Sequence, residues 1–140
     1  MIDNRPDYEP ITYFKAEGLN NAFFYLPEAP YTPVIDLTGY TATCTLYDEC
    51  GGTSIGTLTS GAGTLAFFTD TAVFDSQDED TGVITSYSIP NAQGVKFNVS
   101  PVAFAAFTWI TAYFELVITS SGGTVEPFLR GTLSPGDCSC

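Results

Sequence analysis

Residues 109–119 read Trp-Ile-Thr-Ala-Tyr-Phe-Glu-Leu-Val-Ile-Thr. Ala112, Phe114, Leu116 and Ile118 fall on one face of an extended chain, and Tyr113, Glu115, Val117 and Thr119 on the other. Side chains of a strand alternate between faces, so this spacing predicts a long β-strand with one face in a core. Ser120-Ser121-Gly122-Gly123 follows as a tight turn, and residues 124–133 run back as the partner strand. Pro127 has no N–H to give to a ladder, which puts part of that strand at an edge or a bulge.

The same reading extends outward from this hairpin. In residues 40–46 (YTATCTL), Ala42, Cys44 and Leu46 alternate with Thr41, Thr43 and Thr45, the pattern of a half-buried strand. Residues 48–52 form a turn, and 54–59 return. Strands are also expected at 11–14, 20–26, 61–69, 82–89 and 94–99, where β-branched and aromatic residues gather between turn residues. Pro27, Pro30 and Pro33 close the second of these. Ser100-Pro101 suits the start of a short helical turn over 102–107. Residues 1–10 read as a loose arm, 70–90 as an inserted acidic loop with its tip at 77–80, and 136–140 as a tail. The expectation is one all-β domain over 11–135, an antiparallel β-sandwich of about eight strands with one short helical turn. Strands 11–14 and 128–133 are expected at sheet edges covered by partners.

Composition narrows the function. Lys and Arg total 4 against 16 Asp and Glu, giving a net charge of -12, and His is absent. Without His there is no Ser-His-Asp or Cys-His catalysis and no imidazole metal ligand. Four scattered cations do not follow a phosphate backbone, so neither nucleic acid nor an anionic membrane is an expected partner. The N-terminal stretch is polar, unlike a secretory signal, and no apolar run is long enough to span a bilayer. No cofactor and no enzymatic activity are expected. Carboxylate pairs such as Asp48-Glu49 stand in turns, where water keeps them ordinary, not in the cleft that glycosidase acids need.

The candidate site residues follow from chemistry. Asp75, Asp78 and Asp80 offer hard oxygens of the kind Ca²⁺ takes, without the spacing of a calcium loop. Cys44, Cys50, Cys138 and Cys140 lack a usual zinc spacing, and Cys44 reads as a small core residue. Tyr8, Tyr13, Tyr25 and Tyr31 gather in the weakly charged N-terminal part and suit a docking surface. Trp109, the single Trp, is a candidate interface anchor. Arg130 is expected to pair with an acid on this chain or on a neighbouring subunit.

A longer pattern adds to this. Val34-Ile35-Asp36-Leu37-Thr38-Gly39-Tyr40-Thr41-Ala42 precedes a strand and the turn at Asp48. Later come residues 95–100, Pro101, and Ala112-Tyr113-Phe114-Glu115-Leu116. Gly122-Gly123, Phe128-Leu129-Arg130-Gly131 and Ser134-Pro135 complete the order. This order resembles the Ig-like module at the N-terminus of siphophage baseplate upper proteins and in small phage structural proteins. The resemblance implies a non-enzymatic virion protein, assembled in the host cytoplasm, that links other tail or baseplate proteins and forms homo-oligomers in the particle. A capsid decoration or head-fibre base protein would share the fold. A carbohydrate-binding module is the reading from a different class, with Trp109 and tyrosines as its platform.

Overall fold

The computed structural model describes residues 7–27, 31–49 and 52–136. Its elements are β1 (Asp7–Tyr13), β2 (Ala22–Phe24), β3 (Thr41–Tyr47), β4 (Ser54–Thr59), β5 (Leu65–Gln77), β6 (Ile84–Phe97), α1 (Pro101–Ala105), β7 (Ala112–Thr119) and β8 (Val125–Pro135). They form two sheets, one in the order β1-β8-β7-β3-β4 and one in the order β2-β6-β5. The chain is an all-β sandwich with one short helix, as its alternating pattern predicts.

The core lies between the sheets. Cys44, Leu46, Leu58, Leu65, Val95, Phe97, Val99, Phe114, Leu116, Ile118 and Leu133 are each at most 2% exposed. The alternation of β3 and β7 becomes alternation of burial: Ala42, Cys44 and Leu46 point inward, as do Ala112, Phe114, Leu116 and Ile118. Phe97 of β6 meets Phe114 of β7 edge to face across the sheets, ring centroids 5.7 Å apart. Residues of this size contribute about 1.5–3 kcal/mol each through burial alone. One end of the sandwich is closed by α1. Ser100 caps it by accepting the Ala103 N–H, Pro101 starts it, and Phe104 is its buried residue.

The Asp-Leu-Thr-Gly-Tyr stretch is a turn that delivers the chain to β3. An Asp36 carboxylate oxygen accepts both the backbone N–H of Thr38, at 2.9 Å, and its hydroxyl, at 2.6 Å. Leu37 is buried, and Tyr40 N–H returns to the Leu37 carbonyl. Gly39 takes φ 84°, a left-handed backbone that glycine adopts without a Cβ clash. The motif is thus explained by local geometry.

Four expectations are corrected. Residues 70–90 are not an inserted loop: β5 and β6 run through them as an antiparallel hairpin from Leu65↔Phe97 to Gln77↔Ile84. The acids here occupy exposed strand and turn positions, so charge did not prevent pairing. Residues 7–10 are not part of a free arm, because β1 begins at Asp7. Residues 128–133 are not a sheet edge, since β1 pairs along β8 from Asp7↔Leu129 to Tyr13↔Pro135. That pair is parallel, the one departure from antiparallel pairing in the two sheets. Pro127 does sit at an irregularity: opposite it the β7–β8 register shifts between Leu116 and Val117, leaving Phe128 as the extra residue.

Gly131 lets β1 approach. A Cβ there would stand 1.8 Å from the Glu9 carbonyl oxygen. Gly131→Ala should therefore push β1 off β8, with a loss of about 1–3 kcal/mol, and amide exchange should accelerate across residues 7–13 before the rest of the sheet. Unchanged exchange there would contradict the close approach. Phe114→Ala should lower unfolding free energy by about 3–5 kcal/mol in chemical denaturation, whereas Val73→Ala, at an exposed position, should stay within about 0.5 kcal/mol of the parent.

Candidate functional site

The six residues expected to form a docking surface do not form one surface, although Tyr13 meets Trp109 and Tyr8 stands opposite Arg130. Tyr8 stands opposite Arg130 in the β1–β8 register, and its side chain lies outside the described residues. Tyr13 is 5% exposed. Its hydroxyl donates to the Ile110 carbonyl, and its ring packs on Phe104 and Trp109; burial pushes its pKa up. It is a core residue, not a docking residue. Trp109 is half-buried among Tyr13, Phe104 and Phe107, with its Nε1–H buried and without a partner among the described residues. It packs at the end of the core beside α1.

Tyr25 is half-buried against Phe128, and its hydroxyl donates to a Glu126 carboxylate oxygen at 2.8 Å. Burial first, then the bond to Glu126 and its charge, raise the Tyr25 pKa from 10.0 to about 12. Arg130 lies on the outer face of the five-stranded sheet, opposite Glu115. There it borders an open pocket of about 460 Å³ that is also lined by Asp48, Glu49, Tyr113 and Thr132. Its Nε is buried without a hydrogen-bond partner among the described residues.

The calcium candidates take part in local hydrogen bonds. Asp75 accepts the Ser86 hydroxyl at 2.6 Å, and Asp78 accepts the backbone N–H groups of Asp80 and Thr81 at 2.8 and 3.2 Å. These carboxylates serve the hairpin and its turn. No group of three His, Cys, Asp or Glu poised for a metal occurs among the described residues. Cys44 is fully buried, and burial pushes its thiol pKa far up. The other three cysteines lie outside the described residues.

Tyr31 leads to the feature that the sequence reading missed. It stands edge-on to Phe74 of β5 and to Tyr87 of β6, at 4.9 Å from each ring, and those two rings stack at 5.4 Å. Below them Ala72, Ile89 and Ala92 form a small second core, with Phe24, Leu26 and Val34 against it. Tyr31 holds φ 73°, a left-handed backbone that costs a residue other than glycine on the order of 1–3 kcal/mol. Packing against two rings holds it there.

The result is a braced arm. Beyond the irregularity where Thr71 faces Pro90 and Asn91, residues 72–77 pair only with 84–89, a ribbon about 20 Å long. One face carries the Tyr31–Phe74–Tyr87 cluster. The other presents Val73, Asp75 and Gln77 beside Ser88, Ser86 and Ile84, with Val73 75% and Ile84 62% exposed. The tip is a closed turn: Gly82 N–H donates to the Asp78 carbonyl and Asp78 N–H to the Val83 carbonyl, both at 2.8 Å. The signal was present as alternation in 72–77, where Ala72, Phe74 and Ser76 oppose Val73, Asp75 and Gln77.

No family model, curated protein or solved structure matches this chain.

An unfolded Tyr ionises near 10, and the fold keeps Tyr25 protonated to about 12. Its contribution is full below pH 10 and is lost as pH rises from 10 to 12. Tyr25→Phe should cost about 1 kcal/mol at pH 8. The gap to the parent should narrow between pH 10 and 12 in urea denaturation. A gap constant over that range would refute the assignment.

Proposed function

We propose that this chain is a non-enzymatic structural protein that works by docking, an adaptor between tail or baseplate proteins of a tailed-phage virion. The observation that carries the docking reading is the braced arm. A sandwich with a large common core extends into a hairpin, packed on one side by the Tyr31–Phe74–Tyr87 rings, whose other face mixes apolar and acidic side chains. Such a form is preordered for a partner, so little ordering entropy is spent on contact. The phage assignment rests on the order of motifs from Val34 to Pro135, and Ig-like describes the proposed kinship of the sandwich.

Chemistry supports binding over catalysis. Asp36, Asp48, Asp75 and Asp78 each accept a turn or cross-strand hydrogen bond, although the Asp48-Glu49 pair, expected to stand clear of any cleft, borders the open pocket beside Arg130. No helix among the described residues is long and apolar enough to cross a membrane. Repeated copies on a symmetric particle would convert a modest contact into strong attachment through effective concentration.

Immunogold labelling of purified particles from cells that produce this chain tests the assignment. Gold at the tail or its tip is the expected result. Gold over the head would overturn the tail adaptor in favour of a capsid decoration, and particles without gold would remove the virion reading altogether.

A further inference from the structure

We infer that the outer edge of β5 is a docking strand for a basic, extended segment of another protein, which adds to the β2-β6-β5 sheet as a fourth strand. This rests on the docking part of the proposed function and holds whatever particle contains the chain.

The edge is open. β5 is the outermost strand of its sheet from Leu65 to Gln77, and the irregularity at Thr71, whose N–H donates to the Asp70 carboxylate at 2.7 Å, divides this edge into residues 65–70 and 72–77. The far flank of β6 is covered only at its core end: β2 pairs with β6 at residues 94–96, Tyr25 N–H donates to the Gln93 carbonyl at 2.8 Å, and Leu37 N–H donates to the Gln93 side chain at 2.8 Å. Residues 84–89 carry no strand on that flank. β5 is the longer of the two flanks and the one that carries Asp70 and Asp75. In an antiparallel pair every second residue turns both its N–H and its C=O away from the partner. Half of β5 therefore offers backbone groups outward, a ready template for another strand. Strand addition uses these for affinity, and side-chain pockets for choice of partner.

Charge selects the occupant. No Lys or Arg stands between Lys15 and Lys96, while Asp70, Asp75, Asp78, Glu79 and Asp80 follow the edge and tip. Asp70, Asp78, Glu79 and Asp80 are exposed, as is Asp75. A second copy would bring the same carboxylates and a charge of -12 against them, so self-pairing is opposed by like-charge repulsion. A Lys- or Arg-bearing strand finds the opposite sign. Val73, at 75% exposure, and Val83 and Ile84, at 59% and 62%, lie among these acids for alternate apolar side chains to cover.

The test uses the full chain and a capped probe peptide, Lys-Val-Lys-Val-Lys-Val-Lys, followed by calorimetry and by amide exchange. The expected result is saturable binding that weakens with salt, together with slowed exchange along residues 69–77. The same peptide N-methylated at alternate residues keeps its charge but loses the ladder bonds, so it should bind at least tenfold more weakly, the loss of about 1.4 kcal/mol. A Glu-Val counterpart should not bind. Asp70→Asn with Asp75→Asn keeps the acceptor oxygens and should lower affinity up to about fivefold per site. Equal binding of the N-methylated peptide would overturn strand addition. Slowed exchange on β1, β2, β4 or residues 84–89 of β6 in place of β5 would overturn the choice of edge. Concentration-dependent dimers protected at 69–77 would overturn the basic partner in favour of a second copy, and an absence of binding would overturn the inference while leaving the particle assignment to immunogold.

Discussion

The edge-to-face contact between Phe97 and Phe114 is the joint on which the molecule depends. Phe97 belongs to the three-stranded sheet and Phe114 to the five-stranded one, and each is at most 1% exposed. Perpendicular rings at this distance gain from quadrupole geometry beyond the area they bury. The joint also sets the position of everything at the far end of β6. That strand places Val95 and Phe97 in the main core, then passes Asn91 and Pro90, then carries Ile89 and Tyr87 into the arm. One continuous strand thus joins the arm to the core, and the Tyr31 ring packs against both strands of the arm.

The parallel pairing of β1 with β8 decides which edges remain open. Without it, β8 would be the edge of the larger sheet and Leu129, Gly131 and Leu133 would have an unpaired flank. With it, the backbone of β8 is enclosed on both sides, and Gly131 is the residue that admits the Glu9 carbonyl. The outer strands among the described residues are then β1, β4, β2 and β5, and β6 carries no strand on its far side over residues 84–89. Of the outer strands β5 is the longest, with 13 residues against 7 for β1 and 6 for β4.

Local alternation made most of the sandwich legible. In β3 and β7 the apolar set is the buried set, and the Ser100-Pro101 signal marks a real helix start. What stayed hidden is what local pattern does not encode. The partner of β1 lies more than a hundred residues away, and no property of residues 7–13 names it. Tyr13 and Tyr25 have similar neighbours in sequence, yet one is sealed by Ile110, Phe104 and Trp109 and the other meets Glu126. In residues 70–90 the acids at 75–80 outweighed the alternation beneath them, and Pro90 split one strand into two. Proline is tolerated there because it sits at the register irregularity, where no ladder bond is required of it.

The distribution of charge completes the account of the open edge. Sheet proteins commonly guard exposed edges with Lys, which is costly to bring beside another edge. This chain has no Lys or Arg through β2, β3, β4 and β5, and guards the same region with carboxylates. Against another copy of itself the two devices are equivalent, since either sign repels its like. Against other proteins they are opposite. A lysine-guarded edge repels basic segments, whereas an aspartate-guarded edge attracts them and still resists self-association. The same carboxylates can keep the chain from polymerising through β5 and leave that strand available to a partner of the opposite charge.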